Sequence, residues 1–141
     1  MTYKDYEYLS SCPIVLGIPA LKSLFVHAGV DPRKSLKNQN IHLVMNMRSI
    51  LPDGTPTEER GLPLNWSEEW NYFQYAHMSA VEKPYTNVYY GHDSVRGLRL
   101  EKHTFGLDSG CVFGGALSAL ELKSGELTQI PCGTYAPPPA N

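Results

Sequence analysis

Two histidines in this 141-residue chain stand in the same local setting. His27 follows Leu24-Phe25-Val26 and precedes Ala28-Gly29, whereas His92 follows Val88-Tyr89-Tyr90-Gly91 and precedes Asp93-Ser94. In each case an apolar run stops at an imidazole with glycine close by. That pattern projects the ring from the end of a strand and leaves room for backbone to approach a ligand. Neutral imidazole is a common ligand for zinc and suits iron, so convergence of His27 and His92 on a metal is the chemistry these residues allow. The competing reading is a pair of hydrogen-bonded structural histidines, and spacing leaves both open because ligation needs further partners. Beside the second histidine, Asp93 can orient an imidazole and Arg96 can face a phosphate; the plain alternative for each is a loop charge in solvent. His42, His77 and His103 lack the shared context and no His-Glu-x-x-His pattern occurs, so they are read as structural or exposed.

The elements that would position these groups follow from periodicity and turn residues. Ser11 to Ala20, broken by prolines, suits an edge strand or a buried extended entry segment. Leu24 to Val30 reads as a core strand whose last side chain, His27, reaches a cleft. From Asn40 to about Leu51, Ile41, Val44 and Met45 recur at helical spacing, and Pro52-Asp53-Gly54-Thr55-Pro56 stops the helix. Asn65 followed by Glu68 opens a second helix running towards Ala80, with Trp66, Trp70, Phe73 and His77 near one face; such an aromatic stripe is expected in the core. Beyond Pro84 come short strands, at Asn87 to Gly91, Leu98 to Lys102 and Thr104 to Leu107. A hairpin of Ala116 to Leu122 with Leu127 to Ile130 follows, turning at Ser124-Gly125.

Composition sets the outer limits. A length of 141 residues suits one domain, and 42% hydrophobic with 18% charged residues is ordinary for a globular chain. The formal net charge of -2 argues against general affinity for nucleic acid or anionic membrane. Eleven prolines and twelve glycines call for many turns, and nine tyrosines with four phenylalanines favour strands, so a mixed α/β (α+β) chain is expected. The apolar stretches fall far short of the roughly 20 residues that span a bilayer. Residues 1 to 8 lack the basic region and apolar core of a secretory signal, which reads as cytoplasmic, and the start resembles the middle of a domain. Cys12, Cys111 and Cys132 show no paired spacing and are odd in number, so three buried thiols are expected.

Four segments taken in order, Val26-His27-Ala28-Gly29, Met45-Asn46-Met47-Arg48, Tyr90-Gly91-His92-Asp93 and the run from Phe105 to Gly115, resemble the calcineurin-like metallophosphoesterases. The likeness covers about residues 5 to 131. It is strongest to the branch holding the bacterial symmetrical dinucleoside tetraphosphatases and the fungal vacuolar endopolyphosphatase, within the wider group that includes the phosphoprotein phosphatases. It implies a divalent metal pair (Zn, Mn, Fe or Co) that polarises a phosphoryl group and generates the nucleophile. By the same resemblance His27 and His92 are ligands of the second metal, and Asp108, Gly110 and Gly114-Gly115 shape a closing turn. The implied substrate is a phosphoester or phosphoanhydride, with polyphosphate or nucleoside polyphosphate favoured. The implied fold is the C-terminal half of a layered β-sandwich flanked by helices, with residues 1–134 in the domain and 135–141 a disordered proline-rich tail. Vacuolar placement would follow from the fungal branch alone.

The chain departs from that family in one respect: it contains no Gly-Asp and no Gly-Asn dipeptide. The family's upstream ligands, its bridging aspartate and its general-acid histidine therefore have no counterpart, and two imidazoles alone are not expected to hold a metal tightly. A sheet without its companion strands would leave an apolar face for a partner to cover. The alternative function is a truncated, non-catalytic interaction protein that binds a partner through the aromatic helix around Trp66 and Trp70.

Overall fold

The computed structural model describes residues 1–77 and 84–137, and its architecture is a mixed α/β arrangement built on one five-stranded sheet. In chain order the elements are α1 (Tyr3–Ser11), β1 (Val15–Ile18), β2 (Ser23–Val26), α2 (Ile41–Asn46), β3 (Ser49–Ile50), β4 (Pro56–Thr57), α3 (Trp66–Ala76), β5 (Asn87–Tyr90), β6 (Arg99–Leu100), β7 (Thr104–Gly106), β8 (Ala116–Leu120) and β9 (Leu127–Pro131). The main sheet has the order β1-β2-β5-β7-β6, with β2, β5 and β7 parallel and the two outer strands antiparallel to their neighbours. Parallel neighbours cannot be joined by a tight turn, so the chain crosses from β2 to β5 through α2, the β3–β4 hairpin and α3.

Strand alternation gives the sheet two different faces. Leu24, Val88 and Thr104 are register partners on one side and are all buried. There they meet the indole of Trp66, 1% exposed, and that of Trp70, 7% exposed, on α3. Asn65 caps α3 by accepting from the Ser67 backbone N–H at 3.2 Å. Trp70 Nε1 donates to the Thr86 carbonyl at 2.9 Å, so its polar edge is satisfied where its rings are buried. The tryptophan face of α3 is therefore core, as expected for Trp66 and Trp70, whereas Tyr72, Tyr75 and the His77 that follows the helix are exposed. On the opposite side Phe25, Tyr89 and Phe105 form a stacked row across β2, β5 and β7, with ring centroids 5.0 and 4.6 Å apart. Leu16 and Leu100 flank that row in register and are exposed.

Several expected boundaries move, for identifiable reasons. The helix from Asn40 is only one turn and a half because Ser49–Ile50 is drawn into a hairpin with Pro56–Thr57. Leu51 N–H donates to Thr55 O at 2.8 Å around an Asp53-Gly54 turn, in which Gly54 has φ 87°. The segment that looked like a stop signal is thus a hairpin turn, and it pairs the residues ahead of it. Helix α3 ends at Ala76, and residues 78–83, over which it was expected to continue towards Ala80, lie outside the described residues. Helix α1 is held by a reciprocal capping box between Thr2 and Asp5 and buries none of its residues. The proline-rich end is described only as far as Pro137; Tyr135 and Ala136 both donate their N–H groups to the Val112 carbonyl.

The cysteines correct the sequence reading. Cys111 and Cys132 form a disulfide across 21 residues, and Cys12 is exposed as a free thiol, so none of the three is an ordinary buried thiol. The bridge ties the end of the β8–β9 hairpin to the loop before it. Closing a loop of that length should contribute about 3 kcal/mol by constraining the unfolded chain. Cys132→Ser is expected to lower the urea midpoint accordingly, and reductant should lower the wild-type midpoint by the same amount. A wild-type unfolding curve indifferent to reductant would count against the bridge.

Candidate metal centre

Both singled-out histidines sit where parallel neighbours end. β2 stops at Val26 and β5 at Tyr90, and the Gly91 N–H donates to the His27 carbonyl at 2.9 Å, which locks the two strand ends together. The rings of His27 and His92 consequently approach to 5.0 Å between centroids, inclined at 59°. They face one cleft of about 480 Å³, within the size range of small-ligand sites, whose wall also includes Arg48, Arg60, Asp108 and Cys111.

His92 carries three features that a bystander residue would not need. Its φ is 70°, a left-handed conformation uncommon outside glycine, and one that costs a residue with a Cβ about 1–2 kcal/mol. Its Nε2 is buried without a hydrogen-bond partner. The ring's hydrogen bond goes to the Asn46 backbone, which leaves that bond to Nδ1 and the Nε2 lone pair pointing elsewhere. Histidines that ligate metals are commonly fixed in this way, one nitrogen donating to a backbone carbonyl and the other free for the ion. Burial, then the charge of Arg48, then His27, together hold the imidazole below its ordinary pKa, outweighing the Asn46 bond and Asp93. The neutral form, the one that can ligate, is favoured.

Asp93 and Arg96 lie in the same loop and are engaged with each other. Arg96 Nη1 donates to Asp93 Oδ2 at 2.8 Å and to the Arg48 carbonyl at 2.8 Å, while Nη2 reaches Ser49 Oγ at 3.3 Å. The guanidinium is mostly buried and fastens the His92 loop to β3, and it is not among the residues that line the cleft. Asp93 acts on His92 through its charge; no hydrogen bond joins the two among the described residues. The cationic wall is made instead by Arg48 and Arg60, neither of which had been given a role. Arg48 stood in plain view within Met45-Asn46-Met47-Arg48, but only the β3–β4 hairpin brings it and Arg60 to the histidines. Asp108 Oδ1 accepts from the Gly110 N–H at 3.1 Å, and a Cβ on Gly115 would collide with the backbone oxygens of Ser109 and Gly110. The turn that frames this wall is accordingly built for glycine at that position.

The donor set fits part of a metal's shell. His27 and His92 can supply two neutral imidazoles, and an orphaned buried nitrogen is what a ligand would complete. Among the described residues no group of three or more His, Cys, Asp or Glu side chains could hold a metal ion, whereas a catalytic zinc usually takes three protein ligands.

No family model matches the chain. It is similar to the asymmetrical bis(5'-nucleosyl)-tetraphosphatase PrpE of Halalkalibacterium halodurans, with 34% identity over 130 residues, 89% of this chain and 46% of that protein. It is also similar to the symmetrical bis(5'-nucleosyl)-tetraphosphatase of Chromobacterium violaceum, with 42% identity over 50 residues, 36% of this chain and 18% of that protein. Among solved structures it resembles the crystal structure of a diadenosine tetraphosphatase, with TM-score 0.77 and 31% identity, over 94% of this chain and 57% of that one. The chain thus spans about half the length, or less, of the relatives it matches.

Proposed function

Starting from a chain that carries the metallophosphoesterase fold and falls within the calcineurin-like superfamily, we propose that it forms one wall of a metal-dependent phosphoanhydride hydrolase site. Dinucleoside polyphosphates or inorganic polyphosphate are the substrate class. The observation that carries this reading is the convergence of His27 and His92 at 5.0 Å, one of them in a left-handed conformation with its outward nitrogen buried and unpartnered. In this reading His27 and His92 hold one divalent ion of a pair, with Zn, Mn, Fe and Co as candidates. When bound, such ions polarise the phosphoryl group and supply the nucleophile near neutral pH. The chain's own residues do the rest of this half of the work. The Gly91–His27 backbone bond fixes the spacing of the two rings, and the Asn46 bond orients His92. The Arg96–Asp93 pair holds the loop that carries it. The remaining ligands would come from polypeptide that the longer relatives carry and this chain does not match.

The test is hydrolysis of diadenosine tetraphosphate and of tripolyphosphate, with Mn²⁺, by the endogenous gene product isolated at its natural length. Peptide mass mapping of the same sample establishes that length. Phosphate or nucleotide release from a species containing upstream peptides is the expected result. A longer species that hydrolyses neither substrate with any of the four metals would overturn the reading. A species of only 15.7 kDa that is inactive yet captures a protein partner would favour the non-catalytic alternative.

A further inference from the structure

Two imidazoles are one protein ligand short of the three that a catalytic zinc usually takes, and the cleft holds a third soft donor in a capped form. Cys111 lines the same cleft as His27 and His92, but its sulfur is bonded to that of Cys132, which is not among the lining residues. The thiolate, not the disulfide, is the form of cysteine that ligates a metal. With the bridge closed, no three His, Cys, Asp or Glu side chains among the described residues could hold an ion. The place of Cys111 in the wall does not depend on that bridge. Its turn is closed by backbone bonds of its own: the Phe113 and Gly115 N–H groups donate to the Gly110 carbonyl at 2.9 and 3.0 Å, and the Gly114 N–H donates to the Cys111 carbonyl at 3.1 Å. Gly110 and Gly114, at φ 71° and 91°, supply the left-handed conformations on either side. The Cys132 end is tied down separately, its N–H donating to the Gly115 carbonyl at 2.9 Å. Opening the bridge therefore leaves Cys111 on the cleft wall, with χ1 as the freedom by which its thiol turns towards the histidines. Both cysteines are half-buried, so each keeps part of its surface open to a small reductant.

We propose that Cys111 is a latent metal ligand, and that reduction of its bridge to Cys132 completes a zinc site of His27, His92 and Cys111. The proposal rests on the histidine reading above for its other two ligands. Two electrons and two protons from a dithiol, itself oxidised to a disulfide, convert the bridge to two thiols, and the Cys111 thiol releases its proton to solvent as it meets the metal. Thiolate suits zinc and not the oxygen-seeking manganese, so the redox state of the bridge also selects the metal. The test uses the full chain carrying Cys12→Ser, which removes the exposed free thiol, with a phosphine as reductant because dithiols bind zinc themselves. Zinc affinity is measured by competition with a chromophoric chelator, and cobalt(II) is the probe whose thiolate charge-transfer band reports sulfur ligation. Reduction is expected to tighten zinc binding by about 100-fold, at least the effect of losing a group that supports a ligand, and to bring up the cobalt band while manganese affinity stays unchanged. Cys132→Ser, which frees Cys111 without reductant, should show both effects, and Cys111→Ser, which frees Cys132 instead, should show neither. If Cys132→Ser perturbs the circular dichroism spectrum, the oxidised and reduced forms of the Cys12→Ser chain, compared below the unfolding midpoint, decide alone. Zinc affinity equal or absent in both redox states, or a gain in Cys111→Ser, overturns the latent ligand. His27→Asn with His92→Asn is measured in parallel. Loss of the oxidised chain's zinc uptake in that variant, with no gain on reduction of the parent, leaves the histidine reading standing and removes Cys111 as a ligand; a cobalt–thiolate band that survives the double change overturns the three-residue site.

Discussion

His92→Gly is expected to raise the unfolding midpoint while cutting divalent-metal affinity by on the order of 100-fold, a combination that a structural histidine would not give. The stability side follows from the backbone. At φ 70° an L side chain costs about 1–2 kcal/mol that glycine does not incur, and removing a buried nitrogen without a partner recovers part of a desolvation penalty of about 1–3 kcal/mol. Against this stand the entropy of glycine in the unfolded chain, about 0.5–1 kcal/mol, and the lost Asn46 bond, about 1 kcal/mol. A net gain of about 1 kcal/mol corresponds to a few degrees for a domain of this size. The metal side follows from ligation, since losing even an outer partner of a ligand typically costs 10- to 100-fold. Differential scanning calorimetry and competition with a chromophoric zinc chelator read the two effects separately. A lower midpoint with unchanged zinc affinity would show His92 to be structural.

What the sequence made legible was local. The two histidines could be picked out because each ends an apolar run next to glycine, and because strands whose side chains alternate are short and recognisable at Asn87–Tyr90 and Thr104–Gly106. Adjacency of β2 and β5 then follows from the parallel crossover, which brings residues 65 positions apart to one edge (27 and 92). Arg60 was illegible because nothing around Glu58-Glu59-Arg60-Gly61 distinguishes it from a solvated loop, and only the β3–β4 pairing turns it towards the cleft. The Asp53-Gly54 turn misled for a related reason. The same dipeptide ends a helix or closes a hairpin, and the choice was made by Ile50 and Met47, which are buried in the core. The disulfide was hidden by an odd cysteine count and a separation of 21 residues, a contact that depends on where the hairpin folds back.

Trp66 joins the core to the metal centre, and its removal should have the largest effect on stability of any single change in the chain. The indole is 1% exposed, meets Tyr90 edge-on at 4.8 Å between centroids, and lies under Gly29, two residues after His27. Trp66→Ala should cost about 3–5 kcal/mol, a large share of the 5–15 kcal/mol that holds a typical domain together. Gly29 is glycine because a Cβ there would come within 2.6 Å of the Trp66 ring. Gly29→Ala alone should therefore also be destabilising, by about 1–3 kcal/mol through overpacking. The two losses should not add. In the Trp66→Ala background the methyl group that Gly29→Ala introduces enters the space the indole vacated, and the double variant should be more stable than the sum predicts by about 1–3 kcal/mol. Urea midpoints for the four members of the cycle measure this directly, and simple additivity would mean that Trp66 does not support the His27 loop. A coupling of the expected size would make the aromatic helix the support on which the His27 loop rests, which gives the core position that the sequence led one to expect for Trp66 a second task.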